Sequence, residues 1–293
     1  MRKYIMNNAV MGIGKKTKKI AGREDIALES IKIALEDSNL KFKQRDFLNS
    51  GLFVGTTFNN FFLRKEFYQD YKSGGIRKVE PYKFVKTLVS YLSCDLSIKL
   101  NIKKVATTFC SGSSSGLDAF SQAILFLKRN KKNKAFVLEL DENFNRKKSF
   151  QTSVCFILEN HSIVNSEKAY GKNLMISQYF ESKGKNQGLV KALRRILNNS
   201  CRDITKIDYI ISSGIPGTDR HFLERDVLSL FGDISKLNFF NLDCKTKKSS
   251  PLIQIFKFLS KKNKINLLNK ENLKVIFLNL GDNTNSSCMF LEV

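Results

Sequence analysis

The chain predicts an α/β fold of two similar lobes, because short apolar runs alternate with amphipathic helical patterns and because the whole series occurs twice. In the first half, strands are expected at 4–10, 52–56, 104–109, 135–140 and 153–158. Helices are expected at 24–37, 84–100 and 115–128, each with apolar residues recurring at intervals of three and four. In the second half, strands fit 174–180, 209–213, 237–240, 275–280 and 288–293, and helices fit 188–198, 219–231 and 251–259. Each half therefore reads β-α-β-α-β-α-β-β, with the last two strands suited to a hairpin. Strands that alternate with helices imply parallel sheet covered by helices on its faces. The polar stretch HSIVNSEKAYGKN, 161 to 173, interrupts the pattern and divides the chain into halves 1–165 and 166–293.

Composition narrows the function classes. The 293 residues are 42% hydrophobic, ample for a packed core. A formal charge of +23 makes a positive surface field that attracts acidic partners. The basic residues are scattered through segments such as KKTKK and KRNKKNK, without aromatics interleaved on one recognisable motif, so nucleic acid is not the expected partner. Six cysteines stand far apart with no CxxC pair, which argues against a zinc site or a disulfide framework; no metal and no cofactor are expected. The N-terminus has no apolar block suited to a signal peptide and nothing approaches a membrane span, so a cytoplasmic protein is expected.

Three motifs invite chemistry. GIGKKT at 12–17 lacks the glycine spacing and the Ser or Thr after the lysine that a phosphate loop needs. GDNTN at 281–285 lacks the spaced acids of a calcium loop and suits a turn before the last strand. The third, TTFCSGSSSGLDAF at 107–120, places small residues between a strand and a helix, the setting of a nucleophile elbow, and GSSSG satisfies GxSxG with Ser114 at its centre. A serine hydroxyl needs a positioned base, and only His161 and His221 exist to supply an imidazole. Cys110, at the strand end, is a second possible nucleophile, with a buried strand thiol as its plainer role.

The twofold pattern, the strand GLFVGT at 51–56 and SSSGLDAF opening a helix together resemble the thiolase fold of the β-ketoacyl synthase family. Glu80, Pro81 and Phe84, then a helix ending in LSIKLNIKK, are similar to the segment before that family's nucleophile strand. IDYIISSG at 207–214, NLDCKTKKSSPL at 241–252 and LGDNTNSSCMFLEV at 280–293 resemble the family's histidine strand, its lysine and second-histidine loop, and its last turn and strand. The resemblance implies a layered α/β/α/β/α sandwich of two pseudo-repeated lobes.

It also implies where chemistry would sit. Active members use a cysteine as acyl acceptor and two histidines that promote decarboxylation and stabilise the carbanion's oxygen. Carried over, the cysteine position falls on Ser113, the first histidine on Ser213 and the second on Ser250. The scaffold positions Gly116, Asp118, Glu224, Lys245, Thr284 and Asn285 still match, and Glu224 with Lys245 is expected to form a structural pair. The long segment that walls the substrate space in active members is shortened between LELDENFNRKKS and FQTSVCFILEN. The resemblance thus implies no catalysis by this chain alone. It implies instead a chain-length-factor-like partner that pairs with an active ketosynthase, in a fatty acid or polyketide pathway of the aryl polyene kind, with an acidic acyl carrier protein as a further partner. The alternative is an acyltransferase or thioesterase on the same fold using Cys110, Ser113 or Ser114.

Overall fold

The computed structural model describes residues 8–19, 22–39, 44–57, 60–145, 148–160, 169–180, 187–200, 204–212, 225–232, 238–239, 250–262, 273–280 and 285–293. Alternation of side chains along the strands dictates the architecture, because both faces of each sheet are apolar and both must be covered. The first sheet comprises β1 (Asn8–Lys19), β2 (Gly51–Thr56), β3 (Val105–Phe109), β4 (Lys134–Asn145) and β5 (Lys148–Asn160), in spatial order β1-β5-β4-β2-β3. The second comprises β6 (Lys172–Phe180), β7 (Tyr209–Ser212), β8 (Asn238–Phe239), β9 (Lys274–Leu280) and β10 (Asn285–Glu292), in order β6-β10-β9-β7-β8. Counted from its own first strand, each sheet has the same order.

The pairing senses also match. β5 and β10 run antiparallel to both neighbours, whereas β2 and β7 run parallel to theirs. The sheets are therefore mixed, where strand–helix alternation alone predicts parallel ones. The reason is the closing hairpin of each series, which returns the chain antiparallel and presents its far side to the first strand.

Helices α1 (Arg23–Asp37), α2 (Gln44–Leu48), α3 (Phe61–Gly74), α4 (Pro81–Thr87), α5 (Tyr91–Leu100) and α6 (Ser115–Arg129) belong to the first series; α7 (Gln187–Asn199) and α8 (Pro251–Lys262) belong to the second. Residues 225–229 are also helical, within the span predicted for 219–231. On one face of the first sheet Leu52, Val54, Phe136, Leu138, Cys155 and Ile157 pack against Ile26 and Ile31 of α1 and Leu92 and Leu96 of α5. On the outer face of the second sheet Ile210, Ile276, Cys288 and Phe290 pack against Leu189, Leu193 and Ile196 of α7. Between the sheets lies the largest core, where α6 and α8 bury Phe120, Ile124, Leu252 and Phe258 against Val137, Phe156, Phe277 and Met289. The layers run helix, sheet, helix, sheet, helix.

Several boundaries differ from the pattern. The first strand occupies Asn8–Lys19 rather than 4–10, so GIGKKT is strand and not loop; residues 4–7 lie outside the described residues. A Cβ on Gly12 would stand 2.3 Å from the Ala34 carbonyl oxygen, and one on Gly14 would stand 2.1 Å from that of Ser30. These glycines are there to let β1 lie backbone to backbone on α1. The expected helix 84–100 is two helices, broken where Leu88 turns extended at φ −68°, ψ 143°. The helix α3 has no counterpart among the predicted elements, because FFLRKEFYQDYKSG lies at the surface and carries no continuous apolar stripe. The hairpin β4–β5 runs on beyond the predicted strands, its ladder continuing from Asp141 and Thr152 to Asn145 and Lys148.

Gly14→Ala should lower the unfolding free energy by about 1–3 kcal/mol through overpacking against α1, a loss that urea titration of the two proteins would measure.

Candidate functional site: the turn between β3 and α6

The turn is built by close approach. β3 lies parallel to β2 and ends at Phe109; Gly112–Ser114 form one 3₁₀ turn, and α6 begins at Ser115. Gly112 has φ +70°, a left-handed conformation that favours glycine. A Cβ on Gly55 at the end of β2 would stand 2.7 Å from the Cα of Gly116, so strand and helix touch through backbone. The Ser115 hydroxyl accepts the Ser111 N–H at 2.9 Å, and its own proton faces the carbonyl oxygens of Gly112 at 2.6 Å and Thr56 at 3.0 Å. Gly55 and Gly116 leave no room for a side chain, and Gly112 takes a left-handed φ.

Ser113 is half-buried, whereas Ser114, Ser115 and Gly116 are buried. The Ser114 oxygen accepts a hydrogen bond from Nδ2 of Asn279, at 3.0 Å, and the same nitrogen lies 3.3 Å from the Ser287 hydroxyl. Asp118, in the first turn of α6, accepts from the Ser111 hydroxyl and, at 2.6 Å, from Nε2 of Gln178 on β6. A carboxylate in the first turn of a helix is favoured by the helix dipole. The second sheet thus grips the start of α6 at two points.

Ser250 precedes α8 and is 5% exposed. Its hydroxyl donates to the carboxylate of Glu139, which also accepts the Leu252 N–H at 3.2 Å. Glu139 is completely buried, and a Cβ on Gly116 would stand 2.6 Å from its carboxylate. Ser250 and the first turn of α6, two features that the sequence places 134 residues apart, thereby meet across one side chain.

Glu139 is the residue that motif reasoning missed. Its signal is faint but real: one acid inside the apolar run AFVLEL, in register with the inward-facing Ala135 and Val137. Ser213, Glu224, Lys245 and Thr284 lie outside the described residues, as do His161 and His221; Asn285 opens β10. Cys110 is exposed rather than buried, with Sγ 3.9 Å from the Thr57 carbonyl oxygen, because it follows the last residue of β3 instead of lying within the strand. Cys155 and Cys288 are fully buried, and burial pushes both thiols up, which keeps them protonated and inert. Among the described residues no group of three or more His, Cys, Asp or Glu could hold a metal ion, and no helix is long and apolar enough to cross a membrane.

Residues 6–171 match the family model for the N-terminal domain of β-ketoacyl synthase. The chain belongs to the β-ketoacyl synthase family. No curated protein matches it in sequence. Among solved structures, the ishigamide ketosynthase/chain length factor is similar over 98% of this chain and 99% of its own, at 13% identity and a TM-score of 0.79. A type II polyketide synthase acyl-carrier protein in complex with its ketosynthase bound to the hexaketide, AntDE:AntF, gives 10% identity and a TM-score of 0.79 over 99% of this chain and 100% of that one. A β-ketoacyl synthase from Burkholderia phymatum STM815 gives 10% identity and a TM-score of 0.78 over 98% and 100%. At such identities the likeness is one of fold, and the fold is thiolase-like: the ketosynthase sandwich described above.

Brief alkylation of the native protein should label Cys94 and Cys110 and leave Cys155 and Cys288 unmodified until denaturant is added. Peptide mass mapping reads the difference.

Proposed function

We propose that this chain is a ketosynthase-like subunit without condensing activity of its own, a chain-length factor that pairs with an active β-ketoacyl-ACP synthase and helps shape the tunnel for the growing acyl chain. The pathway is a type II fatty acid or polyketide pathway of the aryl polyene kind. One observation carries the proposal: hydroxyls stand at 113 and 250 where the family's chemistry calls for a thiol and an imidazole, and the Ser250 hydroxyl is committed to Glu139. A serine hydroxyl is a much weaker nucleophile than a thiol near neutral pH, and neither hydroxyl can take the part of an imidazole. Losing one member of a nucleophile and base set costs on the order of 10⁶ in turnover, and further losses add little.

The surface beside β3 supports a partner. Among the described residues β3 is an edge strand of the first sheet, and edge strands expose unpaired backbone groups that invite another strand. α5 packs against β3, and α4 against α5. This same region leaves Tyr82, Phe84, Leu88, Val89 and Ile98 between 43% and 79% exposed. An apolar apron around this edge suits a second subunit of the same fold, with a buried area above about 2,000 Å² for an obligate pair. The net charge of +23 suits an acidic carrier protein as a transient third component, since steering speeds encounter without tight binding.

Co-expression with an intact ketosynthase from the same genome, tagged only on that ketosynthase, should yield a one-to-one complex by native mass spectrometry, while incubation of this chain with an acyl-carrier thioester should leave its intact mass unchanged. A stable monomer in the presence of the ketosynthase would overturn the pairing. An acyl adduct on Cys110, Ser113 or Ser114 would establish the acyltransferase or thioesterase instead.

A further inference from the structure

Two polar side chains stand at matched positions of the two sheets. Glu139 lies four residues beyond Ala135, the β4 partner of Gly51; Asn279 lies four residues beyond Val275, the β9 partner of Tyr209. Both belong to the inward-facing registers, 135-137-139 and 275-277-279, and both are buried. Each reaches across the middle layer to the helix of the opposite series: Glu139 to the start of α8, and Asn279 to Ser114 just before α6.

We propose that Glu139 is the internal occupant of this chain's vestigial catalytic centre: its carboxylate fills the space between the first turns of α6 and α8 and caps α8 from the other lobe, while Asn279 performs the reciprocal hold on α6. A serine before a helix ordinarily turns its own oxygen to the amide two or three residues on. Here Pro251 brings no N–H, the first free amide is that of Leu252, and Glu139 takes it; the Ser250 hydroxyl is turned to the carboxylate as a donor. The cap has moved from the helix's own serine to an acid on the facing sheet. A helix start favours negative charge, so the carboxylate is held where an incoming acyl oxygen or carboxylate would otherwise find donors. On the other side Gly116 leaves just enough room, since a Cβ there would collide with the same oxygens. The inference rests on the non-catalytic proposal in naming the space a former acyl centre; the contacts of Glu139 with Ser250 and Leu252 stand apart from that name.

Thermal melting of the full chain tests it without any partner or substrate. Glu139→Ala should lower the melting temperature by about 5 °C or more, because it strands a buried hydroxyl and amide. Formate at constant ionic strength should restore part of that loss relative to chloride, and should leave wild type unmoved. Glu139→Gln, which keeps the space filled, should fall less and show no formate response. A Glu139→Ala protein that melts within about 1 °C of wild type, or gains no more from formate than wild type does, would overturn the inference. Should Glu139→Ala fail to fold, Ser250→Ala measured in wild type and in Glu139→Gln decides: shifts that depend on the residue at 139 support the contact, and additive shifts overturn it.

Discussion

The structure depends on how two helices can start inside a dry layer. α6 and α8 run between two sheets whose facing sides are apolar, so the helices cannot leave their first turns to water. The four N–H groups that open a helix need acceptors, and buried polar groups without partners cost on the order of 1–3 kcal/mol each. The chain meets this demand from the opposite sheet at α8, whereas at α6 the opposite sheet supplies donors to the helix's own opening side chains. Glu139 serves α8, and Asn279 and Gln178 hold the serine and aspartate at the start of α6. Because each contact joins one series to the other, the same bonds that hold the helix starts also tie the two lobes together.

Close packing accounts for Ser115 and Gly116 of this turn whether or not it holds a nucleophile. Gly55 and Gly116 let β2 meet α6, Gly116 clears the Glu139 carboxylate, and Ser115 ties together Ser111, Gly112 and Thr56. The turn is packed so that its backbone path is specified by these contacts alone. Small residues at a strand-to-helix turn are evidence of packing first and of catalysis second.

The alternation of helices and strands was legible because sheets covered on both faces write continuous apolar runs, and the central helices write a clear period. Runs such as VIFL in β9 and SGLDAFSQAILFL in α6 carry the fold on their own. The surface helix α3 was not legible, since Phe61, Tyr68 and Tyr71 face outward and its sequence carries no continuous apolar stripe. Nor was the first strand's extent, because Gly12 and Gly14 look like loop residues until α1 is seen lying on them. The serine turn could be placed by pattern between a strand and a helix, and Ser250 just before a helix. Glu139 could not, because its meaning comes from a partner helix more than a hundred residues away.

Residue-resolved hydrogen exchange is the most direct measure of this shared, filled middle layer. The Leu252 amide, held by Glu139, and the first turn of α6 should exchange only through global unfolding, with the protection of β4 and β9. Exchange of Leu252 by local opening, at rates like those of the exposed helix α3, would mean that the space between the two helices is open to water and that the carboxylate does not close it.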